Sequence, residues 1–256
     1  MRAHEFDWGR ALQEFIQFVI NGTAVGCIYA LVALGFVLIY KATEVVNFAQ
    51  GDLLMLGAFI AYSLIGLMGW SYWIALPVTA VIMAGYGWVL DWAVFRRVIG
   101  QPQFSIIMVT IGVGILMRAG VSMVPQWGTE TYSIVTPFSN KVVRFGEIIV
   151  SQEYLAIIAG TAVLCVILYL FFRRSRLGIA MQAASQNQLE AYYMGIPVKT
   201  VFSLIWGISA AVATVAGILL APVSLIDANM GLIGLKAFPA AVLGGFFFPV
   251  ARRSAM

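Results

Sequence analysis

Apolar residues fill seven long runs of the chain, at 15–40, 53–69, 72–95, 104–125, 154–172, 201–226 and 232–250, parted by shorter polar stretches. At 1.5 Å per helical residue, runs of this length cross or nearly cross a hydrocarbon layer of about 30 Å. Backbone groups in hydrocarbon must be satisfied within their own segment, so single runs of this kind form α-helices. The predicted fold is all-α: a polytopic transmembrane helix bundle of about seven spans, forming one domain over residues 1–256. The first run is too long for a removed signal peptide and lacks a small-residue cleavage site.

Composition sharpens this picture. Of the 256 residues, 62% are hydrophobic and 10% charged, with a mean hydropathy of +0.94. Soluble domains carry roughly 25% charged residues, so soluble enzymes, disordered chains and fibrous proteins are excluded. Cys27 and Cys165 sit inside apolar runs and read as small buried hydrophobes. The single histidine, His4, lies in the polar N-terminal tail, which leaves a metal site or an embedded histidine relay without its ligand.

Basic residues set the orientation. With the N-terminus outside, Lys41, Arg96, Arg97, Arg173, Arg174, Arg176, Lys199, Arg252 and Arg253 fall inside, against Arg2, Arg10, Lys141 and Arg144 outside. Lysine and arginine concentrate in cytoplasmic loops, so this arrangement is preferred to its inverse. The loop 173–199 and the C-terminus are then cytoplasmic. Gly22 with Gly26, and Ala210 with Ala213 and Gly217, supply the small faces by which membrane helices pack.

Two regions suggest function. In the polar loop 173–199, Ala180, Ala184, Gln188, Ala191 and Gly195 recur at helical spacing, and Gly195 with Pro197 stops the helix. A stripe of small residues suits docking into a groove of a cytosolic partner. The alternative, a helix lying on the membrane surface, calls for bulky apolar residues on that face. The second region is a pair of interrupted segments. Asn47, Gln50 and Asp52 cluster just before a span of marginal length, and Lys236, Pro239, Gly244 and Gly245 interrupt the last run. Short, broken membrane segments point to a transport pathway. The alternative makes the first cluster an interfacial turn and lets Lys236 snorkel. Arg118 is also expected to snorkel, and Asp91 to pair with Arg96 or Arg97.

The chain has no visible energy source. A phosphate-binding loop ends in Gly-Lys-Ser/Thr, and none of the four lysines here follows a glycine. A row of Asp, Glu and His for proton coupling, a potassium-filter sequence and the regular arginines of a voltage sensor are likewise missing. No compact acid, base and nucleophile set supports a membrane enzyme. A permease subunit driven by a separate ATPase fits this combination. A stand-alone secondary transporter or channel, and an assembly subunit without flux, are the alternatives.

Four stretches together resemble the branched-chain amino acid permease family of ABC importers: GTAVGCIYALVALGFVLIY (22–40), VVNFAQGDLLMLGAF (45–59), LEAYYMGI (189–196) and MGLIGLKAFPAAVLGG (230–245). The resemblance implies a bacterial inner-membrane importer built from two related permeases, two cytosolic ATPases and a periplasmic binding protein. ATP would bind on the partner subunits and no cofactor in this chain; membrane lipid surrounds it and no nucleic acid is expected. By the same resemblance the segment with Ala183, Ala184, Gln188, Glu190, Ala191 and Gly195 engages the ATPase, and Asn47, Gln50, Asp52 and Lys236 lie near the pathway. The resemblance implies alternating access for branched-chain amino acids, with urea or short amides as alternative cargo. Gln50 stands where histidine is common in the family. The stretch 246–256 departs from the family pattern and suggests a shortened C-terminus.

Overall fold

The computed structural model describes residues 8–98, 101–128, 130–139, 141–145 and 148–246. His4, Arg2, Arg252, Arg253 and the tail after residue 246 lie outside the described residues. Helix α1 covers Trp8–Thr43 and α2 covers Gln50–Tyr62, prolonged by a π-helical turn at Ser63–Leu67. Helix α3, Tyr72–Leu90, continues through a π turn at Asp91–Phe95 into Arg96–Val98, and α4 is Gln103–Met123. A small antiparallel hairpin, β1 (Val142–Phe145) with β2 (Ile148–Ser151), precedes α5 (Gln152–Arg174). The loop helices α6 (Arg176–Gln186) and α7 (Gln188–Tyr193) lead into α8 (Val198–Ser224), and α9 is Ile233–Ala241.

Among the described residues, six helices are long and apolar enough to cross a membrane, as expected for the first six runs. The seventh run forms a shorter apolar helix, Met230–Gly244. Helix α8 is the axis of the bundle. Of its most apolar stretch 78% is buried, against 17% for α5, so α5 is peripheral and α8 central. Side-chain size explains the difference: Ala210, Ala213, Ala216 and Gly217 let α1, α2 and α3 approach α8 closely, and close packing is what holds helices together in lipid. The Phe95 and Trp206 rings stack with centroids 4.0 Å apart and planes 14° apart, fixing α3 on α8. Gly22 and Gly26 do not pack this way; a side chain there would meet open space within the chain.

Two elements start at half depth. After α1 the backbone of residues 44–49 is not helical, and it climbs back alongside α1. The Phe48 amide donates to Thr110 Oγ1 at 3.2 Å, a full two turns into α4, and Gln50 reaches Ser209 in the middle of α8. An Asx turn makes the entry: Asn47 Oδ1 accepts from the Ala49 amide at 3.1 Å. The chain re-enters similarly after α8, through Leu225 (φ 58) and an Asp227 side chain that accepts from the Asn229 amide at 3.1 Å. The start of α9 thereby meets the start of α2, and α9 returns toward the end bearing Lys41, Arg96, Arg97, Arg173, Arg174 and Lys199, called here the basic end.

Candidate translocation site and coupling loop

Where α2 and α9 start, Arg118 of α4 donates Nη2 to Asp52 Oδ1 at 2.9 Å. Asp52 is only 5% exposed, while the Arg118 side chain that reaches in to it stays one-third exposed (33%). Glycines make the room. A Cβ on Gly114 would collide with Asp52 Oδ2, and one on Gly231 with Asp52 Oδ1. Arg118 therefore does not snorkel as its position near the end of a span had suggested. One turn beyond Gly114 it faces α2, and the Coulomb attraction of a poorly screened partner outweighs hydration at the interface. Its Nε is buried with no hydrogen-bond partner among the described residues.

Just below this pair, Asn47 and Gln50 are fully buried. Gln50 Nε2 donates to the Ser209 carbonyl at 3.3 Å, and the Ser209 hydroxyl lies 3.0 Å from both Gln50 Oε1 and the Gly35 carbonyl. Asn47 Nδ2 donates to Gln50 Oε1 at 3.4 Å. Gln50 ties the broken start of α2 to α8 and, through the Ser209 hydroxyl, to α1, while Asn47 satisfies the Ala49 amide at the break itself.

Lys236 does not join them. It is exposed on α9, opposite Gly234, Ala237 and Ala241, which are buried against the bundle, and it makes no hydrogen bond or ion pair with the described residues. Helix α9 runs toward the basic end, so its side chains tilt back toward half depth. That direction works against snorkelling. A lysine facing lipid at the bilayer centre costs about 2.5–3.5 kcal/mol, so this face suits protein or water.

At the basic end a second cluster joins α3 to α8. The Ser203 hydroxyl donates to Asp91 Oδ2 at 2.6 Å and accepts from Arg96 Nη2 at 2.7 Å. Arg96 also donates to the Lys199 carbonyl at 3.2 Å and stands 3.8 Å from Asp91. The Asp91–Arg96 pairing was anticipated; Ser203 was not, because one hydroxyl inside an apolar run carries no distinctive signal.

The loop between α5 and α8 differs from the expected single helix. Asn187 breaks it, with an extended backbone and a side chain that accepts from the amides of Leu189 and Glu190 at 3.1 and 3.2 Å, an N-cap for α7. The small stripe turns inward. Ala184 and Ala191 are buried in the chain's own core and Ala183 is half-buried, because small residues also suit close internal approach. Gln188 and Glu190 are exposed; Gln188 Nε2 donates to the Ala42 carbonyl at 3.3 Å, and Gly195 (φ 81) makes the turn into α8. The outward surface consists of Leu189, Tyr192, Tyr193 and Met194, the last 84% exposed.

The opposite end is capped by aromatics. Trp127 Nε1 donates to Ser63 Oγ at 2.7 Å, and the Tyr62 and Tyr132 rings lie 4.5 Å apart. Tyr132 and Ile226 exchange backbone hydrogen bonds at 2.9 and 2.8 Å, which fastens the loop before the hairpin to the loop before α9. Burial, then the Glu130 carboxylate and Tyr62, push the Tyr132 phenol above its ordinary value.

Irregular backbone at membrane depth persists where it lines protein or a water-filled path. Two such breaks meeting around a buried carboxylate and its arginine partner, inside a bundle of membrane-length helices, define a polytopic membrane permease. The sequence matches the family described as "Branched-chain amino acid transport system / permease component" over residues 18–252, and the chain belongs to that family. It is 32% identical over 247 residues to the high-affinity branched-chain amino acid transport system permease protein LivH of Escherichia coli (strain K12), covering 90% of this chain and 79% of that protein. BraD of Pseudomonas aeruginosa is 31% identical over 249 residues, 91% of this chain and 80% of its own length. A probable branched-chain amino acid transport permease of Methanocaldococcus jannaschii is 28% identical over 223 residues, covering 84% and 69%. No solved structure matches.

Proposed function

We propose that this chain is a permease subunit of a bacterial inner-membrane ABC importer for branched-chain amino acids. Its basic end faces the cytoplasm and its N-terminus the outside, in keeping with the positive-inside rule. Residues 1–256 act as one permease domain beside a second, related permease. Two cytosolic ATPases bind the ATP, and a periplasmic protein delivers the cargo.

The observation that carries this reading is the meeting of two broken elements at half depth around Asp52 and Arg118. Such a junction can open and close by small shifts of α2 against α9. Asn47 and Gln50 hold the broken backbone, Asp52 forms the charged constriction with Arg118, and Lys236 faces the path or the second permease. The lever is α8. The ATPase grips Leu189, Tyr192, Tyr193 and Met194, together with exposed Gln188, Glu190 and Gly195, while Ala183, Ala184 and Ala191 seat the loop in the bundle. Closure of the ATPase dimer moves that loop. Ser203 carries the movement to α3 and Ser209 carries it to Gln50, which rocks the bundle between outward-open and inward-open forms.

The test is leucine uptake into proteoliposomes holding both permeases, the ATPases and the binding protein. Uptake should need ATP and all four components. Leucine accumulation by this chain alone down a proton or sodium gradient would refute the proposal, and ATP-driven uptake of urea but not leucine would refute the cargo.

A further inference from the structure

One cavity belongs to none of the features above. It encloses about 360 Å³ at the basic end, between the last turn of α1, the non-helical segment before α2, the start of α4 and the end of α9. Small-molecule sites run from about 300 to 1,000 Å³, so this one suits a small occupant. Val45, Val46, Ile107, Phe238 and Val242 make most of its wall apolar, Tyr40 and Gln103 add polar groups, and Glu44 is the charged group on its lining.

Glu44 is placed there against its backbone preference. Its φ is 56°, and its amide donates to the Tyr40 carbonyl at 2.8 Å in the position just past a helix where glycine is usual. The side chain is exposed, and its carboxylate makes no hydrogen bond or ion pair with the described residues. An unneutralised carboxylate at the edge of an aliphatic chamber is complementary to an ammonium group attached to a short branched hydrocarbon. Phe238 closes the chamber toward half depth, its ring 5.8 Å from Phe36 and 5.4 Å from Phe48. The chamber is thus separated from the Asp52–Arg118 constriction by an aromatic layer.

We propose that this cavity binds the cargo on the exit side. Glu44 holds the ammonium group, and Val45, Val46, Ile107 and Phe238 hold the aliphatic side chain. The assignment rests on the amino-acid cargo and cytoplasmic basic end inferred above, and it adds the recognition chemistry: the cavity selects for a positive amine.

The experiment measures protection of a cavity cysteine in the complete importer. Cys27 and Cys165 are replaced by serine, Val46→Cys is introduced, and its maleimide labelling is followed from the cytoplasmic side; Ile107→Cys serves as a second reporter. Leucine and leucinamide should each slow labelling, whereas 4-methylpentanoate, with the same branched chain but no amine, should not. Glu44→Gln should weaken leucinamide protection about tenfold, the scale of one lost charge-assisted contact. Glu44→Gly, which relieves the backbone, should weaken it equally while leaving labelling without ligand unchanged. Equal protection by 4-methylpentanoate, protection that survives both Glu44 variants, or two reporters that are unprotected or unlabelled would each overturn the site. ATP-driven leucine uptake by the same importer separates the two levels. If uptake persists while protection fails, the cavity assignment falls alone; if leucine uptake itself is absent, the cargo reading falls with it.

Discussion

Asp52 and Asp91 are both buried carboxylates facing an arginine, yet they are held differently. Asp52 meets Arg118 directly at 2.9 Å, with the Gly114 and Gly231 backbones pressed against its two oxygens. Asp91 reaches Arg96 through the Ser203 hydroxyl, with the charges 3.8 Å apart and Asp91 Oδ1 buried without a partner among the described residues. The first pair closes a junction of three elements at half depth. The second fastens α3 to the helix that follows the loop. A direct pair in a glycine cradle tolerates little change, whereas a hydroxyl-bridged pair has an adjustable member. The half-depth junction is the constriction in the proposed cycle and the basic-end cluster is its hinge.

That contrast can be broken in graded steps. The largest effect should come from Arg118→Met, which leaves the Asp52 charge buried alone; a loss of about 3–5 kcal/mol is expected, read by unfolding in an SDS titration. Adding Asp52→Asn to that variant should recover most of the loss, since the uncompensated charge is gone. Gly114→Ala or Gly231→Ala should cost less, about 1–3 kcal/mol, because a methyl must displace a carboxylate oxygen; leucine uptake should fall with stability. Ser203→Ala should cost about 1–3 kcal/mol, near the lower figure, because Arg96 can then close on Asp91. If Ser203→Ala proved more damaging than Gly231→Ala, the distinction between rigid cradle and adjustable bridge would be lost.

The smallest structural effect should follow Tyr193→Ala with Met194→Ala. Both side chains are exposed, so stability should change by no more than about 0.5 kcal/mol, while recovery of a co-purified ATPase drops. Equal recovery would remove the outward face of α7 from the coupling surface.

The two carboxylates were also unequally legible. Asn47, Gln50 and Asp52 stood out in the chain because polar residues before a short apolar run are rare and costly. Arg118 was visible but its partner was not; 66 residues separate them, and a charge near the end of a span has interface water as an equally good sequence-level answer. Asp91 was expected to pair with Arg96 or Arg97, and Arg96, five residues on, is the partner because one helix brings them together. The loop stripe shows the opposite failure. Helical spacing marked Ala184 and Ala191, but small side chains suit contact with a neighbour inside or outside the chain, and the structure turned both inward.

Sequence alone determined that the chain lives in a membrane, where six of its spans lie and that the backbone breaks before α2, because hydrocarbon penalises every charge and every unpaired amide residue by residue. Only the tertiary structure decided which breaks meet, which charges neutralise each other and which side of the loop is free. Those outcomes depend on distances of a few ångströms between helices far apart in the chain, fixed by where glycine and alanine permit backbones to touch.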